Sequence, residues 1–141
     1  MTKIKMNKQQ LLAETHRLKL PKNEYLIVGG GSLTVRDIRE TSDIDIVVTT
    51  QLFEILKQRD WSFKIRPNGK PKLYNDFIEI YLDVNTENFK RSTSWLIQHA
   101  DIFDQVRFID LKSLIGFKQS YGREKDIRDI QLIKTYLTMQ K

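Results

Sequence analysis

The 141-residue chain has no cysteine, which excludes disulfides, thiol nucleophiles and cysteine-ligated metals. It has no uninterrupted apolar run approaching the roughly 20 residues that a bilayer-spanning helix needs. The start, MTKIKMNKQQ, is polar and basic with no apolar h-region, so neither a secretory signal nor a membrane association is expected, and the predicted location is cytoplasmic. Histidine is limited to His16 and His99, both isolated and neither placed by sequence to activate Ser32 as a nucleophile. After Gly31 the next glycine is Gly69, so Gly-x-Gly-x-x-Gly is not completed, and the absence of Gly-Lys-Ser/Thr removes a Walker A loop. No repeat, linker or low-complexity tract interrupts the chain.

Acid is also in deficit. Lys and Arg total 24 against 18 Asp and Glu, for a formal charge of +6 and a pI near 9.5. That balance favours a polyanionic partner such as a nucleoside triphosphate or RNA, although scattered lysines equally keep a small protein soluble. A hydrophobic fraction of 40% and a charged fraction of 30% are ordinary for a globular protein. One domain over 1–141 is expected, of a size that buries about 68 to 70% of the unfolded chain's surface.

The stretch Tyr25 to Val48, YLIVGGGSLTVRDIRETSDIDIVV, organises the rest. Tyr25 to Val28 and Ile44 to Val48 are short and rich in β-branched residues and read as strands of one sheet. Gly29, Gly30 and Gly31 between them permit a sharp turn and close backbone approach to a ligand. A helix over Ser32 to Arg39 is predicted to aim its N-terminal N–H groups at that loop. Asp43 and Asp45 sit two apart, so the pleat puts both carboxylates on one face.

Elsewhere the periodicity predicts helices over Asn7 to Leu18, Thr49 or Thr50 to about Arg59, a short one after Ser92 or Thr93, one after Asp110 stopping near Gly122, and a last one from about Lys125. The last should bury Ile127, Ile130, Ile133 and Leu137. Ser62 to Arg66 and Lys72 to Tyr74 flank Asn68-Gly69 and read as an edge hairpin; Phe77 to Val84 is the longest strand candidate, and Val106 to Ile109 a brief one. Phe53, Phe77, Trp95, Phe108 and Phe117 read as core. The expected class is α/β (α+β), a mixed β-sheet with helices packed on it and C-terminal helices.

Two aspartates on one strand face need an explanation. With Cα atoms about 6.6 Å apart, their charges repel by about 2.5 kcal/mol at an effective dielectric of about 20. Mg²⁺ answers it, because it takes oxygen ligands from one or two carboxylates plus substrate phosphates; a solvated polar face is the other answer. A third acid stands on the long strand, Glu79 or Asp83. Three acids beside a phosphate-holding loop are the parts of metal-assisted phosphoryl or nucleotidyl transfer.

These residues resemble the nucleotidyltransferase superfamily with the DNA polymerase β-like fold. Val28-Gly29-Gly30, a twelve-residue spacer and Asp43-Ile44-Asp45-Ile46 match its signature. Arg39-Glu40-Thr41-Ser42-Asp43-Ile44-Asp45 is similar to the Arg-x-Thr-x-Asp-x-Asp pattern of small prokaryotic members, including the AbiEii-like group. Phe117-Lys118 and Gly122-Arg123-Glu124-Lys125-Asp126 look like the closing helices of that group. The resemblance implies Mg²⁺-dependent transfer of a nucleoside monophosphate from an NTP, ATP being the expected donor, to an acceptor hydroxyl on RNA, protein or a small molecule. It implies metal ligation by Asp43, Asp45 and a third acid, assigned to Glu79 with Asp83 as the alternative. It places Gly29, Gly30, Gly31, Ser32, Arg39, Thr41, Lys118, Arg123 and Lys125 around the nucleotide. Arg39 binds phosphate or pairs with an acid, and Lys125 and Arg128 have Glu124 and Asp129 as possible helical partners. Since small members often occur in toxin–antitoxin pairs, the alternative is a non-catalytic nucleotide- or RNA-binding partner protein.

Overall fold

The computed structural model describes residues 4–140. Seven strands form one mixed sheet in the order β3-β4-β5-β2-β1-β7-β6. At its centre β1 (Tyr25–Val28) runs antiparallel to β2 (Ile44–Val48), and β2 runs parallel to β5 (Ile78–Tyr81). These strands are covered on both faces. Ile27, Ile44, Ile46, Leu73 and Ile80 belong to one apolar cluster with residues of α1 (Lys8–Arg17) and α3 (Thr50–Lys57). Leu26, Val28 and Val47 belong to a second cluster with α4 (Thr93–Gln98), α5 (Leu111–Tyr121) and α6 (Glu124–Met139). Caps fix the helix starts: the side chains of Asn7, Thr49, Ser92 and Asp110 each accept a backbone N–H of the first turn, and Gly122 in the left-handed region closes α5. No helix among the described residues is long and apolar enough to cross a membrane.

The edge hairpin is present as β3 (Ser62–Ile65) and β4 (Pro71–Asn75). Its turn is closed by Gly69 N–H to Arg66 O and Arg66 N–H to Lys70 O, both 2.8 Å, with Gly69 at φ 84°. That is a type I turn followed by a left-handed glycine, not a two-residue primed turn.

Four expectations are corrected. The helix after β1, α2, spans Gly30–Thr34 instead of Ser32 to Arg39. Asp37 takes φ 59°, and Asp37 and Ile38 return N–H bonds to Thr34 and Leu33, a Schellman stop. The long strand keeps only Ile78–Tyr81, because its partner β4 begins at Pro71, which has no N–H to extend the ladder past the Lys72–Tyr81 pair. An unpredicted strand, β6 (Asp101–Phe103), pairs with β7 (Val106–Phe108) through a turn in which Asp104 and Gln105 both have positive φ. In α6 Ile130 and Ile133 are buried but Ile127 and Leu137 are 54% and 41% exposed, and the buried stripe is completed by Asp126 and Asp129. Among the aromatics read as core, Phe53 and Phe108 are buried, while Phe77, Trp95 and Phe117 are only partly so.

Candidate active site

The glycine turn and the acidic strand meet because β1 and β2 pair with Val28 opposite Asp45. Gly29 has φ 68°, and a Cβ there would lie 2.8 Å from Asp45 Oδ2; both facts demand glycine. At Gly30 a Cβ would lie 2.7 Å from Thr41 Oγ1 and 3.2 Å from the Arg39 guanidinium. The backbone thus passes directly over the acid and over the Arg39-x-Thr41 segment. Thr41 is pinned by paired backbone bonds to Met6, and its hydroxyl donates to Asp43 O at 3.1 Å.

Gly31 and Ser32 face elsewhere. Gly31 packs on Ile27 and Leu11, and the buried Ser32 hydroxyl donates to Ile27 O at 3.2 Å. Neither lines the groove that Gly29, Gly30, Arg39, Thr41, Asp43 and Asp45 share. The early helix start is the reason: with the first turn at Gly30, residue 32 points back into the core.

Asp45 is opposite Glu79 on β5, so their side chains share a face. The Asp45 carboxyl is pushed up to about 7, first by burial, then by the Glu79 and Asp43 charges; Lys72 and Lys118 pull it down without cancelling them. Glu79 accepts from Lys72 Nζ at 3.0 Å and from the Tyr81 hydroxyl, whose own ionisation is pushed up by burial and by that bond. The alternative third acid, Asp83, lines the same groove but accepts from Lys70 Nζ at 2.8 Å and from Asn85 N–H at 2.9 Å. Among the described residues no three acid or histidine side chains are gathered into one ion-holding group.

The opposite wall comes from α5 and α6. Arg39 donates to both carboxylate oxygens of Asp129, at 2.8 and 2.9 Å, and Lys118 Nζ donates to the same carboxylate at 2.8 Å. Lys118 also stands 3.6 Å from Asp126, which accepts from Arg123 Nε at 2.7 Å. Burial alone would raise both aspartates, yet Arg39 and Lys118 hold Asp129, and Arg123 and Lys118 hold Asp126, below the ordinary carboxylate value. Of the two roles left open for Arg39, the structure shows the acid pairing. Lys125 is exposed at the rim.

The groove encloses about 540 Å³ and also takes in Arg66, Tyr81 and Tyr121, which sequence reasoning did not single out. The guanidinium of Arg66 stacks 4.7 Å from the Tyr81 ring centre, and its Nε is buried without a hydrogen-bond partner. The signal for Arg66 was there as the last residue of an alternating run, but its face depends on the hairpin register.

Residues 2–138 match the model of a family described as nucleotidyltransferase of unknown function (DUF6036). No curated protein and no solved structure matches the chain.

Proposed function

The chain belongs to this nucleotidyltransferase family, and on that premise we propose that the groove transfers a nucleoside monophosphate from an NTP to an acceptor hydroxyl with Mg²⁺. The observation that carries the reading is Asp45: a carboxyl raised to about 7 beneath Gly29, with Asp43 and Glu79 as like-charged neighbours. Such a group favours either a proton or a cation. The donor set is all oxygen, which suits Mg²⁺; Asp43 and Asp45 would hold it, and Glu79 would complete the acidic face. When bound, the ion would supply charge stabilisation at the α-phosphoryl oxygens.

In the reaction the acceptor oxygen forms a bond to the α-phosphorus and the α–β P–O bond breaks, its electron pair leaving with pyrophosphate. The acceptor proton passes to a carboxylate of the acidic face, a role given to Glu79, which stands opposite Asp45. Gly29 and Gly30 let triphosphate oxygens approach the backbone. Purified protein with Mg²⁺ and α-labelled NTPs should transfer label to one of a panel of RNA, protein and small-molecule acceptors and release pyrophosphate. Full activity in Asp45→Asn would overturn the site.

The pairing of Glu79 with Lys72 and of Asp83 with Lys70 favours a second reading, a module that binds nucleotide without turnover. Calorimetric binding of ATP with no label transfer to any acceptor would select it. The narrower resemblance to AbiEii-like members, with a protein partner as in a toxin–antitoxin pair, rests on the Arg39-to-Asp45 motif and is tested by co-purification with the neighbouring gene product.

A further inference from the structure

On the α5–α6 wall and its approach Arg39, Lys118 and Arg123 are each paired with an acid. A further run of cations lies on the β3–β4 hairpin: residues 62–75 contain Lys64, Arg66, Lys70 and Lys72 and no acid, and of these Lys70 pairs with Asp83 and Lys72 with Glu79. The sheet register aims these cations. Asp45 stands opposite Glu79, Glu79 opposite Tyr74, and Tyr74 opposite Ser62. In the next row Val47 stands opposite Tyr81, Tyr81 opposite Lys72, and Lys72 opposite Lys64. Residues in one row share a face, and residues two apart on a strand keep it. Lys64, Arg66 and Lys72 therefore lie on the face that carries the acids.

Like charges directly opposite one another weaken a strand pair, so the Lys64–Lys72 pair does not serve the fold. Lys72 is relieved by Glu79 at 3.0 Å, whereas Lys64 is exposed. Arg66 adds a guanidinium laid on Tyr81 with its Nε unpartnered. Aromatic rings alternate with the cations: Tyr74 is 38% exposed, with the Lys72 ammonium 5.7 Å from its centre. Beyond the hairpin tip a second cleft of about 520 Å³ holds Asn68, Lys70 and Lys90, with Glu87 as its acid, and shares Asn85 and Tyr121 with the groove. Tyr121 is 43% exposed at that junction.

We propose that the groove-side face of the β3–β4 hairpin is an acceptor platform that takes the single-stranded end of a polynucleotide. Phosphates meet Lys64, Arg66 and Lys72, and unpaired bases stack on the tyrosines, the combination by which single strands are held without a sequence code. The platform leads along the Lys72 and Tyr74 rows to Glu79 and Asp45, so a terminal sugar hydroxyl would arrive at the acids. The acceptor role rests on the nucleotidyl-transfer reading; the binding stands apart from it.

The test is fluorescence anisotropy on the full chain without NTP, using a labelled 12-nucleotide RNA, DNA of the same sequence, the RNA annealed to its complement, and an acidic peptide of equal length. Single strands should bind more tightly than duplex or peptide, with log K falling against log salt at a slope of about −2 to −3 for three or four phosphate contacts at about 0.7 each. A preference between the RNA and DNA arms identifies the sugar of the acceptor. Lys64→Glu should weaken binding about tenfold and flatten the slope by about 0.7 while leaving Tm unchanged or raised, because it turns the Lys64–Lys72 repulsion into attraction. Lys90→Glu should weaken binding less. Equal binding of duplex or peptide, or unchanged binding in both variants, overturns the platform. Single-strand binding with no transfer leaves the platform standing and removes the proposed reaction, and transfer to a small acceptor with no oligonucleotide binding does the reverse.

Discussion

Asp45 and Asp129 face the same groove from opposite walls, and their surroundings move them in opposite directions. Asp129 is held low by Arg39 and Lys118 after overcoming its burial, whereas Asp45 is raised by burial and by Glu79 and Asp43. The α5–α6 wall is a closed ionic network that needs nothing from outside. The β2–β5 wall sets Asp45 among the charges of Asp43 and Glu79, with Lys72 on Glu79. The difference teaches where substitution should tell: removing one member of a buried ion pair strands its partner, so the α5–α6 wall should answer in stability, while a strongly raised carboxyl in a groove is a candidate functional group, so the β2–β5 wall should answer in activity.

The largest effect expected from breaking this contrast is on transfer. Asp45→Asn keeps the shape and removes the charge, so it should lower kcat/KM about 10³-fold, or about 4 kcal/mol of transition-state stabilisation, measured by pyrophosphate release under saturating Mg²⁺. A loss below tenfold would deny Asp45 a role in the chemistry.

On the other wall the effect should be on the fold. Asp129→Ala leaves the buried Lys118 with Asp126 at 3.6 Å and takes from the partly buried Arg39 the carboxylate it grips with two hydrogen bonds. Breaking a buried pair by removing one partner costs about 3 to 5 kcal/mol; with Arg39 at 35% exposure and Asp126 retained, about 3 kcal/mol is expected. Urea denaturation should show the fall in midpoint at unchanged slope. If Asp129→Ala is as stable as wild type, the network does not anchor α6.

Gly29→Ala tests the joint between the glycine turn and the acidic strand. The residue must hold φ 68° and its Cβ would meet Asp45 Oδ2 at 2.8 Å. With ψ at −148° the residue lies outside the left-handed helical region, in a conformation essentially reserved for glycine; holding a side chain there costs about 1 to 3 kcal/mol, and the displaced carboxylate should lower activity further. A variant that loses neither stability nor activity would show that the turn tolerates a side chain.

The residues of this joint were legible in the sequence because each is dictated locally. A β-branched run stops at Gly29, and Asp43-Ile44-Asp45 alternates at the strand period, so the loop, the acids and their shared face follow from spacing. Glu79 required a register that spacing does not contain; pairing of β2 with β5 puts it opposite Asp45 and leaves Asp83 beyond the strand end. Hydrophobic spacing does not reveal the α6 stripe, because Asp126 and Asp129 are buried through Lys118, Arg39 and Arg123. β6 was missed because Asp104-Gln105 makes a turn of positive φ without glycine or asparagine. Gly31 and Ser32 were assigned to the loop by adjacency, and a helix beginning two residues early turned them inward.

The smallest effect is on stability against pH, and it carries a sign that separates the walls. An aspartate lowered on folding contributes stability above its unfolded value near 3.8 that is lost as pH falls through the lower folded value; this is the case for Asp126 and Asp129. An aspartate raised to about 7 does the opposite. Between about pH 4 and pH 7 the folded chain keeps a proton on Asp45 that the unfolded chain has released, so raising pH through that window withdraws stability. Asp45→Asn removes the penalty. Its Tm should exceed that of wild type at pH 8, and the two should converge near pH 4. Added Mg²⁺ should raise wild type alone and close the gap at pH 8, because an ion bound only by the folded state stabilises it. A variant less stable than wild type at pH 8 without metal would mean that the Asp45 carboxylate is satisfied by the protein itself, and the contrast with Asp129 would fall.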